Sequence, residues 1–309
     1  MNAVSLQVAR SRTRLARLGF PLRPAPIPQG VTPPVDRRSL GADYDTEWAR
    51  RYPARVARAA IVEGVMRPVS AAIADPTVVG LDRLDEVKGP IVFAATHHSH
   101  ADTPLLMTSI PEPWRHQLVV AAAADYFFAS RFGGALSALA IGAVPVDRTK
   151  VSRSSGDRIA ELIADGWSLL IYPEGGRSPD GWGQEFRGGA AYLAIRCGIP
   201  VVPIHVAGTG QILRKGRTLP RRSKTTVAFG TPMTAGSGES ARTFNGRLKA
   251  AVTGLADETA TDWWVARRRA FAGTSPGLTG PEVNAWRRAW ALGYQNGRTR
   301  RRRRRWPDL

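Results

Sequence analysis

The chain has 309 residues, and 44 Lys and Arg against 25 Asp and Glu give it a formal charge of +19. That length suits one large α/β domain with terminal extensions rather than two full domains. A single cysteine, Cys197, excludes a disulfide framework and a Cys-ligated zinc site and fits a reducing compartment. The charge draws anionic lipid, nucleic acid or acidic metabolites without choosing among them.

Residues 1–43 carry Arg10, Arg12, Arg14, Arg17, Pro21, Pro24, Pro26 and Pro28 but no apolar signal-peptide core, and are expected to form a basic, Pro-rich arm. Residues 44–75 read as an amphipathic helical segment, with Val56, Ala60, Val65, Met66, Val69 and Ile73 at helical spacing and Pro53 kinking or restarting the helix. Arg51, Arg55, Arg58 and Arg67 break up its apolar surface. Such a segment suits a lipid headgroup layer, and the same spacing also fits a helix packed on its own core.

Residues 76–235 alternate short apolar runs with helical patterns. Strands are expected at Ile91–Ala95, Leu118–Ala123, Ala143–Val146, Ser168–Tyr172, Val201–Val206 and Thr225–Phe229, with helices at Asp125–Ile141 and Ser152–Ala164. The alternation predicts an α/β fold, a mostly parallel sheet flanked by helices. Residues 236–297 are expected to be C-terminal helices, one or two of them over Ala241–Ala272. Trp263 and Trp264 there, and Trp286 and Trp290 beyond, read as core packing in preference to interfacial anchors.

An Arg-rich tail, 298–309, ends the sequence. Its Arg298 and Arg300 to Arg305 are seven of the 44 basic residues, so the basicity is spread over the whole molecule. No run approaches the roughly 20 apolar residues of a membrane-spanning helix. Any membrane contact is therefore expected to be peripheral, with the tail, Trp306 included, held at an anionic surface.

The segment Thr96-His97-His98-Ser99-His100-Ala101-Asp102 follows an expected strand and leads into a helical run, so it sits at a strand's carboxyl end, where α/β sheets place ligand sites. With Asp102 in the first helical turn, its carboxylate can fix the tautomer of His97 and leave the other ring nitrogen as a general base. Gly142 to Arg148 and Tyr172 to Ser178 each place an arginine, Arg148 and Arg177, at another strand end. Together the two guanidinium groups could grip a phosphate. Taken singly, Arg148 also reads as a surface charge and Arg177 as a partner of Glu174 or Asp180.

In this order and spacing the segments resemble the glycerophospholipid acyltransferase family, which includes the 1-acylglycerol-3-phosphate acyltransferases. Its N-H-x-x-x-x-D motif is matched by His97 and Asp102, its glycine-to-arginine motif by Gly142 to Arg148, its F-P-E-G-x-R-S motif by Tyr172 to Ser178, and its V-P motif by Val202-Pro203. Thr96 stands where the family usually has Asn, and Tyr172 where it has Phe. The resemblance covers roughly residues 78–229.

It implies that His97 deprotonates the acceptor hydroxyl, Asp102 orients His97, and the hydroxyl attacks the thioester of acyl-CoA or acyl carrier protein directly. Arg148 and Arg177 would hold the acceptor phosphate, with Glu174, Gly175, Gly176 and Ser178 completing the substrate-binding segment. The expected acceptor is a lysophospholipid, 1-acylglycerol 3-phosphate first, with glycerol 3-phosphate or a glycolipid as alternatives. The expected place is the cytoplasmic face of a membrane, with no cofactor and no metal.

Two competing readings exist. His98-Ser99-His100-Ala101-Asp102 partly resembles the H-x-H-x-D-H run of binuclear zinc hydrolases, but Thr103 occupies the last histidine position, and outside the His97 to His100 segment only His116 and His205 remain. A basic nucleic-acid-binding protein would use the Arg tract for phosphate contacts; no nucleic-acid partner is expected here. Ser99 lacks the G-x-S-x-G context of a nucleophile elbow.

Overall fold

The computed structural model describes residues 41, 43–147, 153–178, 181–213 and 219–280. The chain divides into two units, residues 1–39 and 40–309, and every described residue lies in the second. Residues 1–40 of the N-terminal arm, the Trp286 to Trp290 element and the Arg-rich tail lie outside the described residues.

Helix α1 (Tyr52–Ile61) carries Pro53 in its first turn, where the absent N–H costs no hydrogen bond, so Pro53 starts the helix. A π-turn, Val62–Met66, joins it to α2 (Arg67–Ala74). There follow β1 (Pro76–Val79), β2 (Val92–Ala95), α3 (Asp102–Ser109), β3 (Leu118–Ala123), α4 (Arg131–Ile141), β4 (Ala143–Val146), α5 (Arg153–Ala164), β5 (Ser168–Ile171), α6 (Gly189–Cys197), β6 (Val201–Ala207), β7 (Thr225–Phe229), α7 (Ala241–Ala260) and α8 (Trp263–Ala272).

The seven strands lie in the order β1-β7-β6-β2-β5-β3-β4. Every neighbouring pair is parallel except β6 and β7. In the centre, Phe93 of β2 faces Leu170 of β5 and Val202 of β6.

Alternate residues of β2 feed two cores, as the two-residue strand period requires. Phe93 and Ala95 join Leu105, Leu106 and Met107 of α3 on one face. Val92 and Ala94 join Ile159 of α5, Ala190 of α6 and Phe244 and Leu248 of α7 on the other. Covered on both sides, the strands are continuous apolar runs. β1, with only every second residue half-buried, gave no such run and was not expected.

One expected helix differs in detail, and the one-or-two expectation over Ala241–Ala272 resolves as two. Instead of one helix over Asp125–Ile141, a single turn at Ala124–Phe127 is followed by a break and by α4, because the extended Ser130 accepts the Gly133 N–H at 3.1 Å and caps a new helix there. Asp262 does the same for α8, accepting from the Val265 N–H at 2.9 Å.

Arg58 is not the surface charge the sequence suggested. It is buried, donating to the carbonyls of Ala49 (2.6 Å), Ala138 (3.0 Å) and Leu139 (2.9 Å). The last two belong to the final turn of α4, whose carbonyls have no helical partner, so Arg58 closes that helix end. Burial lowers its pKa to about 10. Val56, Val65 and Val69 in turn point outward, as do Trp263 and Trp264, which the sequence had placed in the core.

Candidate active site

β2 delivers the chain to the site. Beyond Ala95, the buried Thr96 donates its N–H to Ile204 O (3.2 Å), and its hydroxyl accepts from Val206 N (2.9 Å), so the loop is laced to β6 before it turns. Thr96 therefore supplies a loop anchor where the family has Asn.

Asp102 opens α3 and is fully buried. Its Oδ2 accepts from His97 Nδ1 at 2.9 Å and from the backbone N–H of His98 at 2.7 Å and Ser99 at 2.8 Å. The four-residue spacing between the two folds as expected: the loop curls over the helix start and brings the imidazole onto the carboxylate. With Nδ1 carrying the hydrogen toward Asp102, Nε2 is left as the basic nitrogen.

The other contacts of this segment hold it in place. His97 N donates to Glu174 Oε1 at 2.8 Å, and His97 O accepts from Ser178 N at 3.0 Å. Glu174 Oε2 takes the Gln184 N–H at 2.8 Å. Glu174 is buried, and burial raises its pKa to about 7 against the pull of these two N–H donors. The Tyr172 ring stacks on His97 with centroids 3.9 Å apart.

A cavity of about 450 Å³ opens beside the dyad, within the range of small-molecule sites. Val120, Ala121, Ala122 and Ala123 from the end of β3, Leu136, Ala140 and Ile141 from α4, and Ile171 from β5 give it an apolar wall. Its polar lining includes His97, His100, Arg177, Arg187 and Asp147. Gly175 and Gly176 also line it. Gly175 has φ +70°, and a Cβ there would lie 2.8 Å from Arg187 Nε, so only glycine lets the loop and that arginine come so close.

Of the residues singled out in the sequence, His97, Gly175, Gly176 and Arg177 thus line one cavity. Asp102, Glu174 and Ser178 lie behind its wall, bonded to the loops that form it. Arg148 lies outside the described residues; Asp147 before it reaches the cavity. Arg187, Gln184, Tyr126 and Leu136 were missed. Arg187, beside Gly188 and Gly189 at the start of α6, carried the one legible signal, a basic residue next to a flexible pair.

The remaining histidines do not converge. His98 packs edge-on to His205 with centroids 6.5 Å apart, and His100 stacks on Tyr126 and meets its hydroxyl at 3.1 Å. Burial holds the pKa of His98 down and that of His205 at about 3. Among the described residues, no group of three His, Cys, Asp or Glu side chains is arranged to hold a metal. Ser99 is buried, its hydroxyl donating to Leu213 O at 2.9 Å.

A buried carboxylate, an oriented imidazole, an apolar cavity and arginine at its lining are the groups that general-base chemistry on a partly apolar, anionic substrate would require. Residues 75–207 match the Acyltransferase family model. A 1-acyl-sn-glycerol-3-phosphate acyltransferase of Brassica napus is 34% identical over 142 residues, 45% of this chain and 39% of that protein. One of the same name from Pseudomonas aeruginosa is 32% identical over 136 residues, 42% of this chain and 49% of that protein. The chain thus spans less than half the length of these two relatives. The crystal structure of the 1-acyl-sn-glycerophosphate acyltransferase PlsC of Thermotoga maritima shares the fold, with a TM-score of 0.52 at 21% identity over 71% of this chain and 85% of that one. Motif order and matches agree: residues 75–207 are an Acyltransferase-family domain, similar to the 1-acyl-sn-glycerol-3-phosphate acyltransferases, and the fold is shared with one of them.

Proposed function

We propose that this protein is an O-acyltransferase that moves a fatty acyl group from a thioester, acyl-CoA or acyl carrier protein, to the free hydroxyl of a lysophospholipid, 1-acylglycerol 3-phosphate, giving phosphatidic acid. The observation that carries this is His97, held by Asp102 from behind, at the lining of an apolar cavity that Arg177 also lines.

His97 Nε2 takes the acceptor proton as the hydroxyl oxygen attacks the thioester carbonyl. An O–C bond forms, the tetrahedral intermediate collapses, the C–S bond breaks, and the proton on His97 passes to the departing thiolate. Asp102 steadies the imidazolium formed between these steps. Arg177, with Arg148 and Arg187, supplies charge-assisted hydrogen bonds to the acceptor phosphate, and Gly175 and Gly176 let backbone approach it. Glu174 and Ser178 hold the loop of His97. The residues do this chemistry without a cofactor or a metal.

Lipid substrates reside in membranes, and the surface beside the cavity suits one. Leu136 lines the cavity yet is 54% exposed, and Phe132, one turn earlier on α4, is 80% exposed. With the +19 charge, this supports peripheral binding to an anionic bilayer at its cytoplasmic face. No helix among the described residues is long and apolar enough to cross a membrane.

The test is a matrix of acyl-CoA and acyl carrier protein donors against 1-acylglycerol 3-phosphate and glycerol 3-phosphate, with products read by mass spectrometry. Phosphatidic acid is the expected product. Acylation of glycerol 3-phosphate alone would overturn the acceptor assignment.

A further inference from the structure

Tyr172 stands where the family carries Phe, and its hydroxyl is engaged. The ring lies flat on His97, tilted by 18° with centroids 3.9 Å apart, and the hydroxyl meets Thr103 Oγ1 at 2.8 Å. Thr103 directly follows Asp102 in the first turn of α3. One helical turn therefore holds the imidazole twice, at its edge through Asp102 and at its face through Thr103 and Tyr172.

The backbone of Tyr172 is fixed as well. It precedes Pro173, which restricts it to extended conformations, and its carbonyl accepts the Gly175 N–H at 2.9 Å. A phenylalanine would stack in the same place but would have no bond to α3.

We propose that Tyr172 is a positioning residue for the general base, its ring setting the plane of the His97 imidazole and its hydroxyl anchoring that ring to Thr103. The inference rests on the general-base reading of His97. As His97 accepts the proton, positive charge develops against the π face of Tyr172, an attraction stronger in the transition state than before it. The ring thus acts on kcat. Tyr172 and Thr103 also line the cavity, so the rival reading is a substrate contact, which acts on KM.

The experiment compares Tyr172→Leu, Tyr172→Phe, Thr103→Val and the double variant Tyr172→Phe/Thr103→Val. For Tyr172→Leu, kcat falls about tenfold while KM for donor and acceptor stays within about twofold. Tyr172→Phe and Thr103→Val each lose about threefold, and the double variant loses no more than either, because both break one bond. Single losses that multiply in the double variant, or a raised KM at unchanged kcat, would overturn the proposal.

A second reading does not depend on turnover. The His97 ring protons, identified by their loss in His97→Ala, are expected to be shifted upfield by the stacked ring in wild type and Tyr172→Phe, and to move downfield in Tyr172→Leu. Unmoved resonances in Tyr172→Leu would overturn the stack. If wild type transferred no acyl group at all, the general-base reading would fail while the resonances still decided whether Tyr172 positions His97.

Discussion

Asp102 Oδ2 lies 2.9 Å from His97 Nδ1 and accepts the N–H groups of His98 and Ser99 as well, so one buried oxygen sets both the ring and the loop that carries it. Asp102→Asn keeps the shape but offers an amide where the loop requires an acceptor-only group. Its kcat is expected to fall about a thousandfold, with the wrong histidine tautomer as the cause. Steady-state kinetics would check it, and retention of activity within tenfold would contradict the proposed role.

Glu174 yields a prediction with pH. Burial raises its pKa from 4.5 to about 7. Because the folded-state value lies above the unfolded one, its contribution to stability is fully present below about pH 4.5 and is lost as pH rises through about 7. The neutral Glu174→Gln variant lacks this dependence. Between pH 5 and 8 the melting temperature of wild type should therefore fall relative to the variant by about 5 °C. Thermal melts across that range would check it; parallel curves would contradict it.

Arg58→Met replaces the buried guanidinium with a chain of similar length. The carbonyls of Ala49, Ala138 and Leu139 lose their donor at the end of α4. A loss of about 3 kcal/mol is expected in denaturant unfolding. A loss below about 1 kcal/mol would show that these carbonyls find other partners.

Ala140 lies on the apolar wall of the cavity. Under the proposed function, Ala140→Leu takes up room for the acyl chain, so kcat/KM for a long-chain donor should fall about tenfold more than for a short one. Equal losses for the two donors would place the chain elsewhere.

The central strands and the dyad were legible because their signals are local. Buried parallel strands are uninterrupted apolar runs, and the His97 to Asp102 spacing spans a single loop. What the sequence hid depends on partners far along the chain. Arg58 reads as one more surface arginine until α4, some eighty residues later, presents its final carbonyls to it. Trp264 reads as core until α8 proves to bury Ala266 instead. Glu174 and Arg177 belong to one motif yet face different ways, the carboxylate toward backbone N–H groups and the guanidinium side of the loop toward the cavity. Motif matching registers the residue types and not these directions.

The central claim is tested most directly by release of free thiol from long-chain acyl-CoA, or from acyl carrier protein, by purified wild type and His97→Ala with 1-acylglycerol 3-phosphate present or absent. Release that requires the lysophospholipid and disappears in a folded His97→Ala protein is the predicted result. Lysophospholipid-dependent release that persists in His97→Ala would contradict the account.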